Sequence, residues 1–448
     1  MLDGGDVTKP DQSIRTANQD IEQSPYFAGH AWQMLEKFVA FTALFLLGLR
    51  QFIEVGFTTG YIVALLLIPV WIGHLRFYWG ARFLFVVGVL TLASGTLLAA
   101  ISRADHRVGS GAGLNDLALV IGLLCGIGVI LWARRVLTLS QVGMAFGAGM
   151  LAAAMLGDGR FTANAWKFAW AIPLAILVLS AAIPAGKRLL ELLLVLGLAG
   201  VSAIADSRSY FATFLLTAIL VAWQMRPVSQ SRASSRTWTA LLMVGVTVAI
   251  YNLGTTLLVD GLLGEEAQAR SIEQIDTAGS LILGGRPELA ATIGLMGFRP
   301  MGFGIGVIPN LHDITAAKSA MLAINYDPNN GYVDNFMFGG KIELHSIAGG
   351  LWAKFGVVGL ILTAAIAVIL VRGLIDGINS RTGSAVSLFL ICLSMWNLAF
   401  SPLYASLPTL TLALGLAFRA SVGTKDRDGT DPSGWLRPRL PATSRRLL

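Results

Sequence analysis

Charge is scarce in this chain: Asp, Glu, Lys and Arg make up 13% of its 448 residues, against 55% hydrophobic residues and a mean hydropathy of +0.68. A soluble domain carries about a quarter charged residues, so that class is excluded. Cysteine is scarcer still. The two present, Cys125 and Cys392, sit inside apolar runs, which excludes a disulfide framework and a cysteine-ligated metal and leaves both as small hydrophobes. A basic segment followed by an early apolar core is also missing. The opening residues carry Asp3, Asp6, Asp11, Asp20 and Glu22, so no signal peptide is expected and the N-terminus is placed in the cytoplasm. The chain shows neither an internal repeat nor a long central cytoplasmic loop dividing it into halves, which argues against a duplicated transporter architecture.

What is present is a series of apolar runs of about 17 to 22 residues, the length a helix needs to cross the hydrocarbon core. They predict an all-α polytopic membrane protein with about twelve transmembrane helices: 32–49, 57–73, 83–101, 114–132, 137–156, 167–183, 188–205, 209–225, 238–259, 350–371, 383–400 and 403–418. Glu36 and Lys37 make the first the least regular. With the N-terminus inside, most of the 33 basic residues fall in inner segments or in the basic tail, as the positive-inside rule requires. That distribution accounts for the net charge of +7 through contact with anionic lipid and leaves nucleic acid without a role.

The chain then divides into a disordered cytoplasmic N-terminus over 1–30, helices 1 to 9 over 31–259, a large outer loop over 260–345, helices 10 to 12 over 346–418 and a basic cytoplasmic tail over 419–448. The outer loop is the only long polar interval between apolar segments, and a chain otherwise built for spanning concentrates function in such a segment. Within it, 265–283 reads as an amphipathic surface helix. Gly284-Gly285-Arg286-Pro287-Glu288 opens a short helix running to Phe298, with proline at the first position and glutamate in the first turn. Asp327-Pro328-Asn329-Asn330-Gly331 and Phe338-Gly339-Gly340 mark turns.

Arg286 beside the exposed N–H groups of that helix makes a phosphate or diphosphate site, or else snorkels to lipid phosphates. Asp206-Ser207-Arg208-Ser209 is an ionised turn pressed between two apolar runs on the same side, engaged with a ligand or paired with itself. His345 falls at the water–lipid boundary near Glu343, placed either to take a hydroxyl proton or to hydrogen-bond at the interface. His312 next to Asp313 competes weakly for that role. Gly302, Gly304 and Gly306 lack the strand that a dinucleotide fold would require, so close backbone approach to the membrane or a ligand explains them better. Lys354 reads as a snorkelling residue or a buried partner, and Arg188 with Glu191 as a helical pair. Asp426-Arg427-Asp428 has the spacing of a metal-holding D-x-D but sits in the cytoplasmic tail, and no metal is expected.

Together Ser207-Arg208, Gly285-Arg286, Pro300 with Gly302, Gly304 and Gly306, and His345 followed by Gly356-Val357-Val358-Gly359 resemble the bacterial O-antigen ligase and O-antigen or exopolysaccharide polymerase superfamily. The resemblance covers roughly 200 to 372. It departs at Leu289 to Ile293, where the family often has an aromatic, and at Ser346, where it often has an amide. The resemblance implies a glycosyltransferase of the bacterial inner membrane that needs no metal or other cofactor. It implies a polyprenyl-diphosphate-linked oligosaccharide as donor, a periplasmic site, and membrane lipids and other polysaccharide assembly and export proteins as neighbours. It also implies Arg208 and Arg286 on the diphosphate and His345 on the acceptor hydroxyl, with Arg299, Lys341, Glu343, Gly302 and Gly304 in substrate binding. Polymerase is preferred over ligase; a polysaccharide flippase and a non-catalytic export scaffold are the readings of another class.

Overall fold

A computed structural model describes residues 24–53, 56–157, 164–226, 245, 259, 265–279 and 284–421. Its α-helices are α1 (Ser24–Leu49), α2 (Thr59–Leu66), α3 (Ile68–Trp71), α4 (Ala81–Ser102), α5 (Ser110–Val136), α6 (Leu139–Leu156), α7 (Ala171–Ala182), α8 (Arg188–Ile204), α9 (Arg208–Gln224), α10 (Glu265–Ala278), α11 (Glu288–Phe298), α12 (Leu311–Leu322), α13 (Ile347–Asn379), α14 (Ala385–Phe400) and α15 (Leu403–Ala417). Helices occupy every predicted span except 238–259, which apart from residues 245 and 259 lies outside the described residues, as does the tail with its D-x-D. Among the described residues six helices are long and apolar enough to cross a membrane, or seven if α2 and the Ile68–Phe77 segment, bent by 56°, form one span. The protein is an all-α membrane protein. The described chain is already helical at Ser24, ahead of the boundary predicted near residue 31.

The α5 helix is the axis of the bundle, with 83% of its apolar window buried. Its glycines make this possible: a Cβ at Gly122 would stand 2.6 Å from the Tyr61 ring and one at Gly128 2.3 Å from Trp71. Small residues let helices close on one another where apolar surface alone gives no drive inside lipid. Arg134 at the far end of α5 donates to the carbonyls of Gly415 (2.6 Å) and Phe418 (2.9 Å), closing the C-terminal turn of α15.

Contacts between connecting segments sort them to two ends of the bundle. At one end β1 (Arg107–Val108) pairs antiparallel with β2 (Val307–Ile308), tying the α4–α5 loop to the large loop, and the Asn164 amide donates to Ala205 O at 2.5 Å. At the other end Trp79 N donates to Arg419 O (3.0 Å) and Ser421 N to Phe77 O (2.8 Å). There Arg188 pairs with Glu191 at 2.7 Å and donates to Gly383 O, while Glu191 accepts from Ala385 N. The helical pair expected at Arg188 therefore also satisfies the first N–H of α14, beside its N-cap Ser384.

The α13 helix is broken. Gly356 (φ +66°, ψ −149°) leaves the helical region and interrupts the ladder. The carbonyls left over find donors elsewhere: Phe303 N and Gly304 N donate to Ala353 O at 2.8 and 3.1 Å, and Ser94 Oγ donates to Phe355 O at 2.9 Å. Non-helical backbone at this depth is tolerated only when such partners are supplied. The glycine-rich run supplies the donors to Ala353 O, and α4 the donor to Phe355 O.

Candidate functional site

The segment between α10 and α13 folds over one end of the bundle around its own apolar cluster of Ala291, Leu295, Phe303, Met321, Met337 and Trp352. The short helix expected from Pro287 to Phe298 forms as α11, with Arg286 just ahead of it. Glu288 in its first turn is buried and points inward. A single π-helical turn, Tyr332–Met337, places Tyr332 and Phe336 on one face. His345 precedes α13 with φ +45°, a left-handed conformation that a non-glycine residue adopts at a cost of about 1–3 kcal/mol and that concentrates at functional sites. The next residue explains why it is held there: Ser346 accepts from Gly349 N as the N-cap of α13 and donates to Leu398 O of α14 at 3.0 Å. Ser346 thus fixes the helix start that presents His345.

These elements bring His345, Tyr332, Phe336, Glu288 and Arg286 together. Tyr332 donates its hydroxyl proton to Glu288 Oε1, and its oxygen lies 3.0 Å from His345 Nδ1. Burial, then the neighbouring Glu288 charge, pushes the phenol well above its ordinary range, so it stays neutral with one proton. That proton is committed to Glu288; the 3.0 Å contact is therefore an Nδ1–H donating to the phenol oxygen, and His345 Nε2 keeps its lone pair. Phe336 stacks on the imidazole at 4.8 Å between centroids. Burial lowers the His345 pKa, partly opposed by Glu288 and Glu343, with Arg286 and Lys341 lowering it further. Glu288 Oε2 is buried without a protein hydrogen-bond partner among the described residues.

Arg286 lies 5.9 Å over the Phe400 ring, within electrostatic reach of both Tyr332 and His345. Lys341 lies 5.3 Å over Phe336 and 5.8 Å over Tyr404, bridging the histidine cluster to a cavity of ≈ 340 Å³ lined among others by Arg50, Asn115, Asp116, Lys354 and Tyr404. Lys354 is a partner rather than a snorkelling residue: its ammonium is 2.8 Å from Asp116 Oδ1, whose Oδ2 accepts from Gly306 N at 3.0 Å. Glu343 is buried beside this cavity, close enough to act electrostatically on His345, Lys354 and Tyr404.

The other candidates are placed differently. Gly302 and Gly304 approach protein backbone: a Cβ would meet Trp352 O at 2.5 Å and Ala99 N at 2.3 Å respectively. Gly304 also lines the cavity. Arg299 bonds Asp105 (2.9 Å) and Ser102 Oγ (2.9 Å). It belongs to a clasp in which His106 Nε2 lies 2.7 Å from Asp313 Oδ2 and Nδ1 2.7 Å from Asp105 Oδ1. The His106 hydrogen bond, then Arg299, holds the Asp105 carboxyl below its usual range. Asp313 therefore serves the clasp, while His312 is exposed at the start of α12. Asp313→Asn removes the charge facing His106 and from the Asn310 cap at a fully buried position. It lowers the melting temperature of the purified protein, at a cost of about 3 kcal/mol, measured beside the exposed His312→Asn, which leaves it unchanged.

Arg208, opening α9, pairs with Asp206 at 3.5 Å and donates to Ser271 Oγ of α10 at 3.3 Å. Among the described residues these contacts tie it to that turn and that helix. Glu288 and Tyr332, in contrast, were not singled out for chemistry in the sequence. Glu288 is legible only as a helix-start residue; Tyr332 and Phe336 have helical spacing, but in a segment dominated by turn residues. Among the described residues no group of three or more His, Cys, Asp or Glu side chains could hold a metal ion.

The fold and site define an all-α membrane protein with an imidazole, a carboxylate, a phenol and cationic groups gathered at one end of its bundle. No family model, curated protein or solved structure matches the chain.

Proposed function

We propose that this chain is an integral-membrane glycosyltransferase that extends a polysaccharide from polyprenyl-diphosphate-linked repeat units, as in the O-antigen ligase and polymerase superfamily it resembles. The observation that carries the reading is the hydrogen-bond chain Glu288–Tyr332–His345, which leaves the Nε2 lone pair of His345 available beside Arg286. The acceptor hydroxyl gives its proton to Nε2 as its oxygen bonds to C1 of the donor sugar. The C1–O bond to the diphosphate breaks, and Arg286 stabilises the charge developing on the leaving group. The imidazole, lowered by burial, is in the basic form at neutral pH.

The basic-residue distribution supports twelve spans with both termini in the cytoplasm and the site in the periplasm. We read the acceptor as a second lipid-linked repeat unit; transfer to lipid A core is the ligase alternative. The broken α13 and the Lys354–Asp116 pair favour a second reading, a transporter of lipid-linked sugar, since discontinuous helices and buried ion pairs mark transport pathways. Substitution decides between them. In cells with equal protein levels Arg286→Ala and His345→Ala each abolish polymer; unchanged polymer would defeat the glycosyltransferase reading.

Two quantitative expectations follow from the hydrogen-bond chain. Tyr332→Phe removes the acceptor that fixes the tautomer and slows turnover roughly tenfold to a hundredfold without a comparable change in KM. In a pH profile the acid limb lies below the ordinary histidine range, activity being lost as pH falls through the His345 pKa. Glu288→Gln removes a charge that raises that pKa, so its acid limb moves further down; a limb moving up would contradict the assignment.

A further inference from the structure

The run from Phe298 to Gly306 does not lie over the bundle but descends along it. Ile305 N donates to Gly95 O at 3.3 Å, seven residues before α4 ends at Ser102. A Cβ at Gly356 would stand 2.5 Å from Met301 O, and Gly356 lies nine residues inside α13, which starts at Ile347. At 1.5 Å per residue these positions are about 10 and 13 Å from the helix ends. The 22 residues of α4 reach about 33 Å, close to the roughly 30 Å of a hydrocarbon core, so the run passes well below the level at which the helix ends. Its backbone is satisfied as a bilayer requires. Pro300 has no N–H, while Gly302 N donates to Arg299 O, Phe303 N and Gly304 N to Ala353 O, and Gly306 N to Asp116 Oδ2. A segment folded for water could have left these groups to solvent.

What the run leaves outside is apolar. Met301 is 62% and Phe298 52% exposed, while the charged residue between them, Arg299, is turned to Asp105 and Ser102. The two helices it descends along present apolar side chains outward at the same level: Leu97 and Ile101 flank the Leu98 and Ala99 that meet Gly356 and Gly304, and Val357 follows Gly356 directly. We propose that acyl chains of the bilayer cover Phe298 and Met301, so that the large loop is fastened to the membrane by a re-entrant segment lodged against α4 and α13. Continuity identifies the occupant. Both helices are long and apolar enough to cross a membrane, and their exposed faces border Met301, so whatever covers the one covers the other. Exposed apolar side chains gathered in this way mark an interaction surface, and at this depth the surrounding medium is hydrocarbon. The helix that ends at Phe298, α11, turns its Glu288 inward to Tyr332. Lipid contact at one end of α11 thus holds the histidine cluster at a fixed height over the bilayer, whatever the site transfers.

The test is the collision accessibility of a nitroxide label in the full-length protein, reconstituted in nanodiscs of phosphatidylcholine and phosphatidylglycerol, with oxygen as the apolar relaxant and a nickel chelate as the polar one. The label is placed by Met301→Cys, by Leu97→Cys on the exposed face of α4 and by His312→Cys at the exposed start of α12. The parent protein, whose Cys125 and Cys392 are buried, gives the background. The oxygen-to-nickel ratio at Met301 is at least about tenfold that at His312, because a hydrated chelate is excluded from hydrocarbon, and it matches the ratio at Leu97. Variants are compared only when their elution profile and melting temperature match those of the parent protein; Phe298→Cys takes the place of Met301→Cys where the latter fails that check. A ratio equal to that at His312 would overturn the proposal by putting the segment in water. Low collision with both relaxants would overturn it by putting protein, a second copy of this chain included, over the face.

Discussion

His345→Ala lowers the rate of glycosyl transfer by about 10²- to 10⁴-fold, the range expected when a positioned general base is removed. The structure makes the expectation specific. His345 is held in left-handed backbone, stacked by Phe336 and hydrogen-bonded through Nδ1 to a phenol that is itself bonded to Glu288. None of these contacts is needed to start α13, because the cap is provided by Ser346. The variant therefore folds with an unchanged melting temperature and binds donor, losing kcat more than KM. A large fall in protein yield with normal turnover of the surviving fraction would assign His345 to architecture instead.

The second large effect is on folding. Gly304→Val prevents assembly of the protein: φ at Gly304 is +110°, and a Cβ there would stand 2.3 Å from Ala99 N and 2.7 Å from the Leu98 carbonyl carbon. The obstacle is the backbone of α4, and Gly304 N and Phe303 N also supply the carbonyl of Ala353 next to the α13 break. The cost exceeds about 4 kcal/mol, enough to remove most of a domain's stability. Size-exclusion profile and yield check it against Gly297→Ala, where nothing lies within 4 Å of the added Cβ; a monodisperse Gly304→Val protein at parental yield would refute the packing account.

The glycine run shows how far sequence carried and where it stopped. Its lack of side chains was legible as close approach, but the partner was not: Gly302, Gly304 and Gly306 meet α13, α4 and α5 respectively, and the run also supplies donors to Ala353 O beside a break fifty residues later. Helix locations were legible wherever apolar length and end signals agreed, as at α11, whose proline and glutamate fixed its start. Arg286 could be singled out because it opens a helix within the large loop, and His345 because it closes that loop at a span boundary. Glu288 and Tyr332 could not, since a carboxylate in a first turn reads as a helix signal until burial gives it a second task. Arg299 was expected in substrate binding, yet with Asp313 it is spent on the clasp that holds the large loop to α4 and the loop after it, a division of labour that depends on side chains some two hundred positions apart.

Transfer by the purified full-length protein, reconstituted in lipid and given polyprenyl-diphosphate-linked repeat units, tests the central claim most directly. The account predicts a ladder of lengthened lipid-linked glycans with release of polyprenyl diphosphate, absent with His345→Ala and with Arg286→Ala. No lengthening by the parent protein, together with transfer to lipid A core or with movement of the intact lipid-linked unit across the bilayer, would contradict it.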